Sequence, residues 1–404
     1  MSSAHPPLLA VEEALAQLLG GVTPLEAEQV QLLEARGRVL AADVTARLTQ
    51  PPFHASAMDG YAVRAADAAA VPQSLRVIGE SGAGHGFAGT VGEGQAVRIF
   101  TGAPLPAGAD AVVIQEDAAR DGASVIIRQA PSVGENVRPA GNDFSAGEVV
   151  LPKGRLITSR DLMLAASSGH ATLPAARRPI VALLATGDEL VPPGATPKAD
   201  QIVSSIPHGL AAVIATAGGA PRILGIASDT LASLDDHIAA ASDADVLVTI
   251  GGASVGDHDL VQKALAARGL SLAFWRIAMR PGKPLMYGRL DRQRVLGLPG
   301  NPVSAMLCAQ VFLLPLLRAL QGAPPVRPPQ QAVLAEPVAA NGPRKHYMRA
   351  RIVEAGQPPK VAPLSSQDSS LVTILARSDC LIVVPPSAPA MPAGSRVEML
   401  PLEG

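Results

Sequence analysis

The chain has 404 residues, of which 48% are hydrophobic, 17% are charged and 2% are aromatic. This length predicts roughly two to four domains, and the composition excludes an intrinsically disordered chain. The formal net charge of −2 argues against a general attraction to nucleic acid or to an anionic membrane, so any anion must be bound locally.

The cysteines and the apolar segments predict a cytoplasmic protein. Cys308 and Cys380 are too few for a disulfide framework or a cysteine-rich zinc site. Residues 1–30 show no basic start followed by an apolar run and a small-residue cleavage site, so we expect no secretory signal. The longest apolar stretch, 303–317, is interrupted by polar residues and proline, which predicts a buried helix rather than a membrane span.

The first part of the chain predicts a helical domain that is interrupted by a β-domain. Apolar residues recur at helical spacing in residues 11–19 and 25–40, and this pattern returns after the interruption. We therefore expect a discontinuous helical central domain formed by residues 1–50 and 145–177. Residues 51–144 contain short Val- and Ile-rich runs separated by Gly, Pro and Asp, which indicates an inserted β-domain.

Residues 178–321 alternate between apolar strands and amphipathic helices, as a parallel sheet covered by helices requires. Strands are predicted at 180–185, 223–226 and 246–250, so this part should be a Rossmann-like, three-layer α/β domain ending at a proline-rich linker. Short β-like runs in residues 332–404 predict a C-terminal β-barrel or sandwich. The expected fold class is thus multidomain α/β and β.

A glycine-rich loop follows the strand at 246–250. Ligands of open α/β sheets bind at such strand ends, where glycines let backbone N–H groups approach a phosphate. Two carboxylates in the same loop would repel a phosphate unless a divalent cation bridges them, which indicates Mg²⁺. The alternative is a tight turn whose aspartates cap the next helix. The loop residues in question are Gly251, Gly252, Ser254, Gly256, Asp257 and Asp259.

A second group of candidates is cationic. Arg276 and Arg280 should project to the same side of an extended chain, and Lys283 lies between Gly282 and Pro284. Guanidinium groups can bind phosphate with two hydrogen bonds, and the lysine adds a point charge. The alternative is a charged, solvated strand edge.

Two further motifs follow predicted strands. Thr186, Gly187, Asp188 and Glu189 come after the strand at 180–185, where a hydroxyl and two carboxylates could hold a hydroxyl, an amine or a metal-bound water. The other motif precedes the long apolar helix, and it could equally be ordinary helix capping by asparagine and proline. It consists of Pro299, Gly300, Asn301 and Pro302.

These motifs together carry a resemblance to a known family. The segments 56–63, 101–104, 186–189, 251–259 and 281–284, with the Gly-Leu-Pro-Gly-Asn-Pro run at 297–302, occur in the order found in the MoeA family of molybdopterin molybdenumtransferases, to which the gephyrin E domain is similar. The resemblance covers essentially the whole chain. It implies the domain order given above and an elongated homodimer.

The resemblance also implies an activity. MoeA proteins carry out the Mg²⁺-dependent insertion of molybdate into adenylylated molybdopterin, with release of AMP. The implied catalytic residues are Asp59, Thr101, Asp143, Glu189, Asp229 and Asp259. The implied substrate-binding residues include Arg138 and Ser205 besides the motif residues named above. Molybdate is expected near Lys283, Pro284, Arg349 and Ser369, and Mg²⁺ at Asp257 and Asp259.

The family builds its site across the dimer, so Asp59, Thr101 and Asp143 should serve the α/β domain of the partner chain. A molybdopterin adenylyltransferase is a possible further partner. Three of the implied residues have simpler alternatives. Asp229 could cap a helix, Ser369 could lie in an ordinary polar loop, and Arg349 could belong to a solvated basic strand.

The sequence departs from the family pattern at two places. Arg276 and Arg280 stand where lysines are common, which keeps the charge but suits binding better than proton transfer. Ile206 stands where the family usually has asparagine, so an amide expected at the pterin or nucleotide is missing. Two alternative functions stay open. One is adenylylation of molybdopterin, whose enzymes share the α/β domain but need no counterpart of residues 1–177. The other is a non-catalytic scaffold or degenerate paralogue.

Overall fold

The structure is a computed structural model that describes residues 8–252 and 260–402. The first lobe is formed by segments on both sides of an inserted domain, as expected. The region 25–40, for which we predicted a helix, is instead a strand and a four-residue helix, because pairing of Ala27–Gln31 with Thr172–Ala176 prevails over the helical spacing. The elements of the lobe are α1 Val11–Leu19, β1 Ala27–Gln31, α2 Leu32–Ala35, β2 Val44–Thr45, β11 Val149–Leu151, α3 Ser159–Ser167 and β12 Thr172–Ala176.

Helix α1 packs away from the rest of this lobe. Its buried residues Val11, Ala14 and Leu18 share one hydrophobic core with the α/β domain, in which Leu18 accepts a hydrogen bond from the hydroxyl of Tyr287. Residue Leu9, just before the helix, pairs with Ile277 as an isolated β-bridge. The amino-terminal helix therefore supports the α/β domain.

The inserted domain is a six-stranded sheet with an apolar core on each face. A side chain at Gly60 would bring a Cβ to 1.9 Å from the carbonyl oxygen of Val113, so only glycine lets these two strands pair. The six strands of the sheet are β4 Gly60–Val63, β5 Gln73–Ser81, β6 Gln95–Ile99, β7 Ala111–Ile114, β8 Ala118–Asp121 and β9 Ser124–Ile127. In the same domain β3 Ala55–Ser56 pairs with β10 Val137–Arg138 as a separate two-stranded sheet.

The third domain has the three layers that the sequence predicts. Its sheet has the order β16-β13-β17-β21-β20-β18, in which the first four strands are parallel. One face packs on α1, α4, α7 and α8, and the other on α5 and α6. The elements are β13 Ile180–Thr186, β14 Leu190–Val191, β15 Ile202–Val203, α4 Ile206–Thr216, β16 Ala220–Ala227, α5 Leu231–Ala240, β17 Val246–Ile250, α6 Leu260–Ala267, β18 Ser271–Arg276, β19 Met279–Arg280, β20 Pro284–Leu290, β21 Gln293–Leu298, α7 Pro302–Cys308 and α8 Leu314–Leu320.

The long apolar helix runs through α7 and α8 with a π-helical turn, Ala309–Leu313, between them. Pro315 has no N–H to donate, so the preceding turn widens and Leu314 donates to Ala309 instead. By length and composition the stretch Pro302–Leu320 could cross a membrane, but 78% of it is buried inside the protein. It is the core helix that the sequence predicts.

The C-terminal domain is a closed five-stranded barrel, since β23 pairs with both β24 and β25. The strand β19, which follows the edge strand of the α/β sheet, pairs with β23 on the barrel. The two domains therefore share backbone hydrogen bonds as well as side-chain packing. The barrel elements are β22 Gln330–Leu334, β23 Lys345–Glu354, β24 Lys360–Pro363, α9 Val372–Leu375, β25 Cys380–Val384 and β26 Arg396–Pro401.

An ion pair fixes the junction between the first lobe and the α/β sheet. Both terminal nitrogens of Arg177 donate to the carboxylate of Asp245 at 2.9 Å, and the backbone N–H of Ile180 donates to the same group at 2.7 Å. Asp245→Ala leaves both donors without their acceptor, and we expect it to lower the free energy of unfolding by about 2 kcal/mol. Chemical denaturation measures this effect.

The control is Asp243→Ala, which removes the partner of Arg222 in an exposed ion pair. Its expected effect is below about 0.5 kcal/mol. Equal losses in the two variants would show that the Arg177 pair does not fix the junction.

Candidate functional site

A pocket opens at the carboxyl ends of the parallel strands β13, β17 and β21. Its volume is about 280 Å³, and these strand ends meet because Gly251 donates to the carbonyl of Leu298 at 3.1 Å. A Cβ at Gly251 would lie 2.9 Å from the carbonyl oxygen of Thr186, so glycine is required for this approach. The predicted site residues that line the pocket are Thr186, Glu189, Ser205, Gly251, Gly300, Asn301 and Pro302.

The structure describes the glycine-rich loop as far as Gly252. Gly252 follows Gly251 with φ of 61°. Ser254, Gly256, Asp257 and Asp259, which we predicted to bind phosphate and Mg²⁺, lie outside the described residues. In the part of the chain that the structure describes, no three His, Cys, Asp or Glu side chains gather as metal ligands.

The acidic residues after β13 are held by the neighbouring strand end. Asp188 accepts a hydrogen bond from the backbone N–H of Asp229 at 3.0 Å, so these two predicted residues come together. Asp229 does not cap α5, because Thr230 occupies that position and accepts from the N–H of Ser233. The carboxylate of Glu189 lies over Gly187, where a Cβ would approach it to 2.3 Å.

The cationic residues lie where the α/β domain meets the barrel. Ile277 and Met279 are buried, so the alternation that predicted a shared side for Arg276 and Arg280 holds. Lys283 is exposed, and its backbone carbonyl accepts from Ile277 at 3.0 Å. Pro284 begins β20, two residues after a glycine that packs on the Sγ of Cys308.

Arg349 is the most unusual of these cations. Its side chain is fully buried, and its Nε, Nη1 and Nη2 atoms have no hydrogen-bond partner among the described residues. The alternative of a solvated basic strand is therefore wrong for Arg349. Burial lowers the pKa of this guanidinium, and among the described residues the charge of Asp368 opposes that effect. An unpaired buried charge is costly, so this arrangement is typical of a site for an anion.

A loop of the barrel connects Arg349 to the pocket. The side chain of Gln367 accepts from the backbone N–H of Arg349 at 2.9 Å and donates to its carbonyl at 3.0 Å. Ser369, two residues later, accepts from the side-chain amide of Asn301 at 3.2 Å. This loop thus connects Arg349 and Ser369, two of the predicted molybdate residues, to the edge of the α/β pocket. Asn301 holds the N-cap position of α7, but its side chain makes no capping hydrogen bond.

The inserted domain presents a separate group. The Oδ1 atom of Asp59 accepts from the backbone N–H and the hydroxyl of Thr101, at 2.7 and 2.8 Å. These hydrogen bonds, together with the charge of Arg98, lower the pKa of Asp59. Arg138 is exposed on β10. It pairs with Ala55 on β3, the strand that precedes Asp59 in the sequence.

Asp143 lies at the junction of the inserted domain and the first lobe, where its N–H donates to Gln50. Within residues 8–252 and 260–402 of one chain, no hydrogen bond or ion pair joins the Asp59–Thr101 pair to the α/β domain. Among the described hydrogen bonds, the Asp59–Thr101 pair therefore forms a group separate from the pocket residues.

Comparison with known proteins agrees with this architecture along the entire chain. Residues 9–169 match the MoeA N-terminal region (domain I and II), residues 182–319 a probable molybdopterin binding domain, and residues 331–402 the MoeA C-terminal region (domain IV). Molybdopterin molybdenumtransferase 2 of Mycobacterium tuberculosis is 36% identical and covers 96% of this chain and 97% of its own. The chain belongs to the MoeA family.

Two further relatives support this conclusion. Molybdopterin molybdenumtransferase of Haemophilus influenzae is 34% identical over 98% of both chains. The crystal structure of a molybdopterin biosynthesis MoeA protein from Pyrococcus horikosii has a TM-score of 0.85 and 30% identity, covering 98% of this chain and 100% of that chain. As a member of the MoeA family, this chain is a transferase of molybdenum cofactor biosynthesis.

Sequence reasoning missed three residues of this MoeA chain that contact or surround the candidate site. Arg98 stacks over the rings of Tyr61 and Phe100 and donates to the carbonyl of Gly60. Gln367 holds Arg349, as described above. His346 is buried next to Arg280, and only its place in a basic run of sequence could have drawn attention to it.

The buried histidine predicts a specific pH dependence of stability. Burial, followed by the charges of Arg280, Arg349 and Arg344, lowers the pKa of His346 to about 4. Below its ordinary pKa of about 6.5 the unfolded chain binds a proton that the folded chain rejects. Stability contributed by neutral His346 is therefore lost as the pH falls from that value towards 4.

Between pH 7 and pH 5, the free energy of unfolding of the wild type should fall by about 2 kcal/mol more than that of His346→Gln. Urea denaturation of both proteins at the two pH values measures the difference. Identical pH slopes for wild type and variant would contradict the burial of this ring as a neutral group.

Proposed function

We propose that this enzyme inserts molybdenum, delivered as molybdate, into adenylylated molybdopterin and releases AMP. The observation that carries the proposal is the fully buried guanidinium of Arg349, which has no partner among the described residues. A tetrahedral dianion supplies the missing charge and the missing acceptors. Lys283, Pro284 and Ser369 complete the proposed molybdate site.

The pocket of the α/β domain accommodates the pterin and its phosphates. Gly251 and Gly300 keep its wall free of side chains, and Thr186 and Ser205 offer hydroxyl groups to the substrate. The Nε and Nη1 atoms of Arg276 are buried without a partner in the described part of the chain, which fits a role in binding phosphate. Arginine suits binding here, because its planar guanidinium can form two parallel hydrogen bonds to phosphate oxygens.

The donor set of the pocket fits a hard cation. Glu189 lines the pocket, none of the described residues donates a hydrogen bond to its carboxylate, and Mg²⁺ prefers such oxygen ligands together with water and phosphate. Asp257 and Asp259, outside the described residues, would complete this proposed site. When bound, Mg²⁺ neutralises charge on the phosphates that are to be cleaved.

Ile206 begins α4 and lines the pocket. It offers the substrate an apolar contact where an amide is usual, so the pterin must be held by other groups. Full-length similarity to molybdenumtransferases favours molybdenum transfer over adenylylation, because the match includes residues 9–169. It equally favours a catalytic protein over a scaffold.

The proposed active unit is a homodimer in the cytoplasm. Asp59, Thr101 and Asp143 of one chain would complete the pocket of the other. The first lobe exposes Leu33 (89%) and Met163 (73%) on its two short helices, and a second copy could cover them. An adenylyltransferase that supplies the substrate is a further proposed partner.

Arg349→Met tests the central observation. We expect molybdate-dependent AMP release from adenylylated molybdopterin to fall at least about 100-fold, because the anion loses its buried cation. Removal of an unpaired buried charge should leave stability unchanged or higher. AMP release with Mg²⁺ present and thermal unfolding are measured on the same preparations.

The matched control is Arg351→Met, which removes an exposed arginine two residues along the same strand. It should retain full activity. Wild-type protein that releases no AMP in response to molybdate would exclude the proposed reaction, and an active Arg349→Met variant would remove Arg349 from it.

The dimeric site can be tested by complementation. Asp59→Asn and Glu189→Gln should each abolish AMP release without dissociating the dimer. If the site is shared, each mixed dimer carries one intact site. Equal amounts of the two variants, mixed and allowed to exchange subunits, should therefore recover about a quarter of wild-type activity. Asp121→Asn, on the exposed β8–β9 hairpin, should remain active throughout. Absence of recovery in verified heterodimers would place both residues in a site within one chain.

A further inference from the structure

Three strands of the inserted domain stop next to the Asp59–Thr101 pair. Strand β4 begins at Gly60, β6 ends at Ile99 and β7 ends at Ile114, and Gly60 is the register partner of the other two residues. Asp59 and Thr101 therefore lie just beyond the paired residues of the sheet. Strand pairing alone does not fix the orientation of their side chains.

The side chain of Arg98 lies at this end of the sheet. Arg98 is the register partner of Tyr61, and paired residues of antiparallel strands project to the same face. Its guanidinium carbon is 5.1 Å from the ring centroid of Tyr61 and 4.9 Å from that of Phe100. A planar cation that packs on aromatic rings has a defined orientation. Because Tyr61 is buried in the apolar core of this face, the stack is anchored in the domain.

The same guanidinium contacts the chain segments that carry both members of the pair. Its Nη1 donates to the carbonyl of Gly60, the residue after Asp59, at 3.2 Å. The second ring of the stack belongs to Phe100, the residue before Thr101. Its Nη2 donates to the side chain of Gln115 at 2.9 Å, and the N–H of Gln115 donates to the carbonyl of Asp59 at 3.0 Å. One side chain thus holds the backbone on both sides of the pair.

We propose that Arg98 is a positioning residue, which orients the carboxylate of Asp59 that each chain presents to the pocket of its partner. This inference rests on the proposed function, in which Asp59 is catalytic. The Oδ1 atom of Asp59 accepts both hydrogen bonds from Thr101, and among the described residues no donor contacts Oδ2. Oδ2 is therefore the oxygen that is left for the substrate. Small errors in the position of a reacting group are costly, so its support matters.

The contacts of Arg98 differ from those of an arginine that only covers the sheet. Arg120, on the neighbouring hairpin, donates from Nε to the carbonyl of Gly122 in its own turn at 2.8 Å. Arg98 instead connects the ends of three strands, and all of its described partners are adjacent to Asp59 or Thr101 or donate to Asp59, except for the ring of Tyr61. This arrangement favours positioning over general stabilisation.

Arg98→Ala tests the proposal in full-length protein with adenylylated molybdopterin, Mg²⁺ and molybdate. The kcat for AMP release should fall roughly 10- to 100-fold. KM should stay within about threefold of wild type, because the substrate pocket is unchanged. Arg98→Lys keeps the charge, but an ammonium group does not reproduce the planar stack with its two directed donors, so its kcat should fall similarly. The matched control, Arg76→Ala, removes an exposed arginine from β5 of the same sheet and should keep the wild-type kcat.

Chemical rescue separates positioning from a loss of folded protein. Millimolar methylguanidine can occupy the space that Arg98→Ala leaves beside the two rings, and it should raise the rate of this variant at least about threefold. It should not raise the rate of Asp59→Asn or Arg76→Ala. Hydrogen exchange followed by mass spectrometry gives a readout besides activity. Residues 57–63 and 98–103 should exchange faster in Arg98→Ala, whereas the rest of the inserted domain should not.

The outcomes distinguish the two proposals. Wild-type kcat in Arg98→Ala, or in Arg98→Lys if the alanine variant does not fold, would overturn the role of Arg98 and leave the proposed reaction standing. A raised KM in place of a lowered kcat, a loss that methylguanidine does not reverse, or faster exchange throughout the inserted domain would overturn it as well. Wild-type protein that releases no AMP would overturn the proposed function, and with it the role for which Asp59 is positioned.

Discussion

The short segment between β18 and β20 determines how this molecule is assembled. The chain runs along the edge of the α/β sheet as β18, and three residues later it pairs with the barrel as β19. Ile277 and Met279 are fully buried in the core that also contains Tyr347 of the barrel. Because backbone hydrogen bonds and apolar burial both cross the boundary, the barrel is held at a fixed position against the α/β domain.

This junction explains how the structure can hold arginine side chains that have no hydrogen-bond partner among the described residues. Alternation along the segment turns its apolar side chains into the core and leaves Arg276 and Arg280 on the other side. The barrel adds Arg349 from β23, whose backbone is held by the side chain of Gln367. Each unpaired guanidinium costs stability, and the shared core offsets that cost. A rigid frame would thus allow the proposed anion site to be preformed, as positioning of a charged ligand requires.

The sequence predicted those parts whose pattern is local. The strand Val246–Ile250 is a continuous apolar run and forms the centre of the parallel sheet. The helix predicted for region 25–40 was wrong, because the structure there depends on pairing with β12, some 140 residues away in sequence. The burial of Arg349 could not be predicted either, since it depends on the pairing of β23 with β25 and on the packing of the barrel against the α/β domain. His346 and Arg98 were not predicted, because the register between paired strands places them beside other charges, and register depends on residues far apart in sequence.

The distribution of partners also explains why two chains are proposed for one site. Asp59 is exposed, yet two hydrogen bonds from Thr101 hold its carboxylate in a fixed, ionised state. Such order at a solvent-facing carboxylate stabilises little by itself, because water would satisfy the group equally well. The α/β pocket has a different character: glycines and hydroxyl groups line it together with the carboxylate of Glu189, and the cationic residues lie at the junction with the barrel. Each surface is incomplete alone, and a partner chain that joins them would unite a fixed carboxylate with a bound anion and its phosphates.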